Sequence, residues 1–383
     1  MALPDPLLDE INATTLKEIY PKVVEDEFFL DTPFLSYLRA NCLVPFNGGE
    51  SMNFTFLYAP LIGGAYAKGD SFNIDKVQTL SGCVFYPKYY YASVVEQLED
   101  ILVVNKGPLA VYSLLNIDLK NAMNTISAIC AVALAQHGQA AGSGIIGNRA
   151  TELNGWEEAM SDGVTPQWDG SVFTSYGYQA RNGAITNKMN SVPQWCGTQS
   201  GAPGPITSGY LEETYQDCSI GREEPDLGEC NKAVYAYIKE RMQVQQNFRQ
   251  EKDPYYGVTG FRFNNAMILK DDYFPSLKYG QNDPILGNWL TGSFANPLPA
   301  TGTPAGGFPN STQAPNLTVG EVFNWLNTKK FMFRVSDDAE FGFGFTGLVR
   351  AQDNTRVVGQ VKAAVNLECT APRMNKTLYG ISS

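Results

Sequence analysis

The sequence predicts an α+β fold of elongated shape, and three observations carry that prediction. One long helix signal runs from Pro108 to His137. A Gly-punctuated hairpin signal, Gly48 to Tyr91, directly precedes it. Charged residues make up only 17% of the 383 positions, while Gly (36), Tyr (20) and Phe (21) are plentiful. Many polar positions are therefore neutral, which suits a surface that ends against other protein. A helix of that length spans roughly 45 Å at 1.5 Å per residue, more than the diameter of a small compact domain.

Taken in order, residues 13–40 read as helical, with Leu16, Ile19, Val23 and Val24 on one side. Asp31-Thr32-Pro33 marks a break or restart, and a short helix Pro33 to Arg39 follows. Residues 47–91 read as β. Met52 to Tyr58 alternates apolar and polar residues, Leu61 to Asp70 is a Gly-rich tip, Phe72 to Leu80 alternates again, and Cys83 to Val95 continues as aromatic-rich strand. Val94 to Val104 reads as a short helix or turn before the main helix. That helix has Pro108 in its first turn and stops at Gly138, the residue types favoured at those ends. Tyr112, Leu115, Leu119, Met123, Ile126, Cys130 and Ala133 recur every three or four residues and predict one buried stripe.

After Gly138 the chain turns to Gly, Ser, Asn, Gln and aromatics. Trp156 to Met160 reads as a short helical turn. Ile206 to Cys218 reads as a helix with Thr207 or Ser208 as N-cap, and Asn231 to Asn247 as a second helix. Val258 to Leu269 reads as two strands around the turn pair Asn264-Asn265. Residues 280–320 form a Pro/Gly-rich insertion. Lys330 to Val335, Gly342 to Ala351 and Val357 to Leu367 are three strand-like runs.

Composition excludes several function classes. The formal net charge of −11 argues against tight gripping of nucleic acid by the whole surface. The seven cysteines are scattered and contain no CxxC pair, so neither a zinc site nor a disulfide scaffold is expected, and reduced thiols are the default. No signal peptide and no uninterrupted apolar run of membrane-spanning length is read, so no membrane partner is expected. The single histidine, His137, sits at a helix end, where the helix dipole alone favours it. Two stretches match GxGxxG, Gly142–Gly147 and Gly342–Gly347. Neither lies between a strand and a helix, where the motif works. Adjacent glutamates such as Glu157-Glu158 and Glu212-Glu213 read as solvated helix starts rather than glycosidase pairs, and Tyr89-Tyr90-Tyr91 as a packed, interface-facing aromatic cluster. No enzymatic activity, no cofactor and no metal is expected.

The order of segments then carries a resemblance. It is supported by NGGESMNFTFLYAPLIGGAYAKGD (47–70), ITSGYLEETYQDC (206–218) followed by NKAVYAYIKERMQ (231–243), DPYYGVTGFRFNNAMILKDDYFP (253–275), WLNTKKFMFRVSDD (325–338) and NLECTAPRMNKTLYGI (366–381). Over nearly the whole chain this order resembles the major capsid proteins of tailed bacteriophages, the Hong Kong 97-type capsid fold. The resemblance implies an N-terminal arm (1–46), an extended β-hairpin loop (47–91), a peripheral domain with the long spine helix (92–138), an axial domain (139–257), and a return to the peripheral domain (258–383) interrupted by the insertion at 280–320.

It further implies pentamers and hexamers of this chain closing an icosahedral shell around double-stranded DNA held by weak non-specific contact. A portal protein, a separate scaffolding protein and a decoration protein are the implied partners, and the virion, assembled in the host cytoplasm, the implied location. The extended loop would lie over a neighbouring subunit, which makes Gly64, Tyr66, Lys68 and Asp70 the assembly-contact candidates. Some relatives crosslink a loop Lys to a neighbour's Asn. Lys68 stands at the tip, but no acid–Asn pair to receive it can be matched. Two alternatives remain open: an encapsulin-like nanocompartment shell, and a secreted glycan-binding or glycan-hydrolysing protein suggested by the Gly, Trp and Tyr content.

Overall fold

The computed structural model describes residues 32–97, 99, 114–135, 151–165, 167, 172–181, 189–196, 204–243, 250–252, 259–274, 321–347, 349–350 and 355–382. Helix α1 (Pro33–Asn41) leads into strands β1 (Leu43–Phe46), β2 (Met52–Leu57), β3 (Leu80–Phe85) and β4 (Lys88–Gln97). The long helix α2 (Leu114–Leu134) and the short α3 (Trp156–Ala159) follow. Four two-residue strands, β5 (Ser175–Tyr176), β6 (Gln179–Ala180), β7 (Gln194–Trp195) and β8 (Gly204–Pro205), precede α4 (Ser208–Cys218), β9 (Leu227–Cys230) and α5 (Lys232–Gln243). The order ends with β10 (Gln250–Lys252), β11 (Thr259–Phe263), β12 (Ala266–Lys270), β13 (Glu321–Leu326), β14 (Phe331–Ser336), β15 (Gly342–Phe345), β16 (Val349–Arg350), β17 (Arg356–Cys369) and β18 (Lys376–Ser382).

Two sheets organise these elements. In the six-stranded sheet β17 is central. β4 runs antiparallel to it from Arg356–Gln97 to Val365–Lys88, β14, β15 and β16 also pair with it antiparallel, and β1 adds parallel to β14. The eight-stranded sheet has the order β10-β11-β12-β9-β13-β18-β7, with β8 also on β18. One face of it carries Ile268, Phe323 and Trp325 and is covered by Leu211 and Tyr215 of α4 and Val234 and Ile238 of α5. A Cβ at Gly228 would stand 2.9–3.0 Å from Ile268, Phe323 and Trp325, so only glycine fits there. The Trp325 indole N–H donates to the Thr214 hydroxyl at 3.0 Å, which satisfies its one donor inside that core. The other face contributes Leu227, Val322 and Leu326 to a second core, shared with α1, α2, α3 and the six-stranded sheet.

Helix α4 forms as its sequence predicts. Thr207 is the N-cap and its hydroxyl accepts the Tyr210 N–H at 3.3 Å. The Asn264-Asn265 turn is present, with Phe263 paired to Ala266 and Asn264 at φ +49°. Helix α5 spans Lys232 to Gln243, within the predicted Asn231–Asn247.

Several expectations are corrected. Within α2, Met123 is 45% exposed, while Ala122, Ile126, Ile129, Cys130 and Ala133 are buried. The inward line steps from Ala122 to Ile126 to Ile129, and 123 lies about 100° round from 122. Val94 to Gln97 is not helical: Val94–Gly359 and Val95–Val358 pairing continues β4, because β17 supplies a partner for the whole run. Phe72 to Thr79 forms no strand: among the described residues its one backbone partner is the Tyr58 N–H, which donates to the Thr79 carbonyl. Glu157 and Glu158 are fully buried, not solvated. Tyr90 packs against the core, but Tyr89 and Tyr91 alternate outward, as β4 geometry demands. β11, β12, β13 and β18 join β9 in one sheet, with β12 parallel to β9 from Met267–Leu227 to Lys270–Cys230. Residues 1–31, the ends of the long helix with Pro108, His137 and Gly138, the 142–147 glycine motif and the 280–320 insertion lie outside the described residues.

Candidate functional site

The described residues group no three His, Cys, Asp or Glu side chains as a metal site. No helix among them is long and apolar enough to cross a membrane. The second glycine motif is strand β15 with the two residues after it; a Cβ at Gly342 or Gly344 would fall on the Ser336–Ala339 backbone, and Gly347 takes φ +81°, so these glycines serve the chain path. All seven cysteines are buried and free. Burial pushes the thiols of Cys42, Cys83, Cys130 and Cys369 up to about 12 and that of Cys196 up to about 11, which keeps them protonated and poorly nucleophilic. The chemically distinctive surface is instead the hairpin excursion between β2 and β3.

Its base is seated in the molecule. β2 and β3 pair antiparallel from Met52–Phe85 to Leu57–Leu80, and Met52, Cys83 and Phe85 point into the core. The β5–β6 turn clasps this base. The Val84 N–H donates to the Gly177 carbonyl at 3.1 Å, the Ser81 hydroxyl donates to Gln179 Oε1 at 3.2 Å, and the Gln179 amide donates to the Gly82 carbonyl. The rings of Phe85 and Tyr176 meet edge to face at 5.1 Å, and those of Tyr86 and Tyr178 at 5.9 Å. Gly177 has φ +53°, and a Cβ there would stand 2.7 Å from that of Cys83.

Behind the clasp lies Arg181, which is almost fully buried. Its guanidinium donates to the carbonyls of Glu158, Ala159, Ser161 and Met189, closing the C-terminal end of α3. Burial lowers this guanidinium to about 10, so it remains a cation at neutral pH.

The distal part turns away from the core. Beyond the Tyr58 N–H bond to the Thr79 carbonyl no strand pairing continues. At the tip the Asp70 N–H donates to the Ala67 carbonyl at 3.1 Å, and the Ala67 N–H donates to the Asp70 carboxylate at 2.6 Å. Gly69 supplies φ +98° at the third position of this β-turn, where a positive φ is required.

The four predicted contact residues thus fall together on one excursion with different parts. Lys68 is the exposed corner of the turn, Asp70 closes that turn, Tyr66 sets its ring against Phe72 at 4.9 Å, and Gly64 has open space around it. The residues that the sequence reading did not single out are the apolar ones: Leu57, Leu61, Ile62, Phe72, Ile74 and Leu80 are all exposed. The signal in the sequence was Phe72, Ile74 and Leu80 at even positions of the run, with Lys76 and Gln78 between them.

No protein-family model matches the chain, and no curated protein matches it in sequence. Solved structures do match it over their full length. A cyanophage A-1(L) capsid chain superposes with TM-score 0.64 at 12% identity, covering 98% of this chain and 99% of that one. The capsid of a native GTA particle gives 0.58 at 8%, covering 100% of both. An encapsulin from Synechococcus elongatus gives 0.57 at 9%, covering 100% of this chain and 97% of that one. With its long helix, two sheets and projecting hairpin, the chain has the Hong Kong 97-type capsid fold.

Proposed function

We propose that this chain is a major capsid protein that assembles as pentamers and hexamers into an icosahedral shell around double-stranded phage DNA. The carrying observation is the hairpin whose base is clasped in this molecule while its distal apolar residues are exposed. Contiguous apolar exposure of that kind marks a surface for another protein. The fold supports the same reading, since its likenesses are shells built from many copies. Here the six-stranded sheet with α2 serves as the peripheral unit, and the eight-stranded sheet with α4 and α5 as the axial unit. Gly64, Tyr66, Lys68 and Asp70 form the loop tip over a neighbouring subunit. A portal, a scaffolding protein and a decoration protein complete the particle.

Electron microscopy of the purified protein tests this. Uniform closed shells or capsomer rings are expected, and a monodisperse monomer that binds or hydrolyses glycan would overturn it. The likeness to an encapsulin gives a second reading, a nanocompartment shell. Particles that co-purify with a protein cargo and never with phage DNA would select it.

A further inference from the structure

Strand β4 is a long edge strand with little in it to keep another strand away. Among the described residues it pairs with β17 alone, over ten residues from Lys88 to Gln97 and with no break in register. Its other side offers a row of backbone N–H and C=O groups. Natural sheet edges are blunted by shortness, proline, bulges or charges. β4 contains no proline, and its only two charges, Lys88 and Glu96, stand near its two ends. Side chains alternate between two faces along a strand. Tyr90, Ala92 and Val94 pack into this chain's own core. The odd positions look outward, where Tyr89, Tyr91 and Val95 are 64%, 55% and 51% exposed.

We propose that β4 pairs antiparallel with β4 of a second copy about a two-fold axis at Ala92, joining the two six-stranded sheets edge to edge. The occupant is a second copy because the strand is complementary to itself read in reverse. Centred on Ala92, Lys88 of each copy falls opposite Glu96 of the other, Tyr89 opposite Val95, Tyr90 opposite Val94 and Tyr91 opposite Ser93. Opposite charges, and aromatic beside β-branched side chains, are the cross-strand pairs that stabilise a ladder. Moving the register by two residues breaks both charge pairs. Moving it by one sets inward side chains opposite outward ones. A two-fold contact repeats each pair, so one favourable match counts twice. Main-chain hydrogen bonds along the edge supply affinity, and the alternate side chains fix the register. The excursion between β2 and β3 takes no part. The pairing goes beyond the shell reading and does not depend on it, since two subunits suffice.

Disulfide trapping between two single variants of the full chain, Tyr91→Cys and Ser93→Cys, tests this register. Both positions are exposed, and all seven native cysteines are buried, so background crosslinking is low. In the proposed pairing, residue 91 of one copy lies directly opposite residue 93 of the other, about 4.5–5.5 Å apart between Cα atoms. That is within disulfide reach. Two residues at 91, or two at 93, stand on the diagonal at about 7–8 Å, beyond that reach. After mild oxidation, an equal mixture of the two variants is expected to give roughly fivefold or more disulfide-linked dimer than either variant alone. Tyr89→Cys with Val95→Cys is a second pair on the same exposed face, and should behave likewise. No excess of dimer from either mixture, or equal dimer from single variants and mixtures, would overturn the proposal. Particles that form without these crosslinks would overturn it and leave the shell reading standing. Crosslinked pairs from a chain that never builds particles would support it and remove the shell reading.

Discussion

Gly177 fixes how the hairpin sits. Its φ of +53° and the 2.7 Å that a Cβ would leave to Cys83 combine backbone strain with overpacking. Gly177→Ala should cost about 2 kcal/mol or more in a urea titration. Gly69→Ala, at φ +98° with nothing within 4 Å, should cost only about 1 kcal/mol. A second residue-scale prediction concerns Glu229. It is buried on β9 opposite Asn324, and burial together with the neighbouring Asp271 raises its carboxyl well above the usual range. A carboxyl whose folded pKa exceeds its unfolded value favours the fold most at low pH, and that advantage is lost as pH rises through the folded pKa. Glu229→Gln should therefore gain stability relative to wild type at pH 8 compared with pH 5, and an equal difference at both would refute the assignment. Neither residue was legible in the sequence. A glycine needed at one contact looks like any other in a chain with 36 of them. The burial of Glu229 involves Asn324 and Asp271, far along the chain.

At the scale of elements, sequence patterning read well where one face is wet. Helix α4 with its Thr207 cap, the Asn264-Asn265 hairpin and the long strand β17 were all visible from period and turn chemistry. β9 and β13 were not, because every residue in LGEC and EVFNWL is buried and no alternation survives. Helix α2 was visible and Leu119, Ile126, Cys130 and Ala133 of its predicted stripe do face the core, while Met123 does not. Its later turns are buried nearly all round, which leaves the stripe poorly defined. That contrast makes a paired prediction. Ile126→Asp, at a fully buried site, should destabilise the subunit by on the order of 4 kcal/mol or more. Met123→Asp should change it by no more than about 0.5 kcal/mol, measured as the denaturation midpoint of the isolated subunit. Equal damage from both would return Met123 to the stripe that the sequence alone predicts. For the hairpin, deleting Gly63 to Asp70 should leave folded, soluble subunits that fail to close shells, since β2 and β3 begin outside the deletion. Normal particles from that deletion would remove the tip from the contact.

On the proposed shell function, the whole molecule sets two forces against each other during assembly. Each subunit carries a formal charge of −11, so copies repel. Each also exposes an apolar row from Leu57 to Leu80 whose burial favours contact and is insensitive to added salt at moderate concentration. Screening shortens the reach of the repulsion, from about 10 Å at 0.1 M to about 3 Å at 1 M salt. If apolar burial is the attractive term, the concentration of subunit needed for assembly should fall as sodium chloride is raised from roughly 50 to 500 mM at neutral pH. Light scattering against subunit concentration reads this directly. A required concentration that rises with salt would mean that opposite charges, such as Lys68 or Lys76 against acids of the next copy, hold the contact, and the apolar row would lose its place as the driving surface. The same negative charge bears on the interior. A shell of such subunits presents no strong general attraction to a polyanion, so empty particles should retain little double-stranded DNA at physiological salt, and tight retention would show a local basic surface that outweighs the net charge.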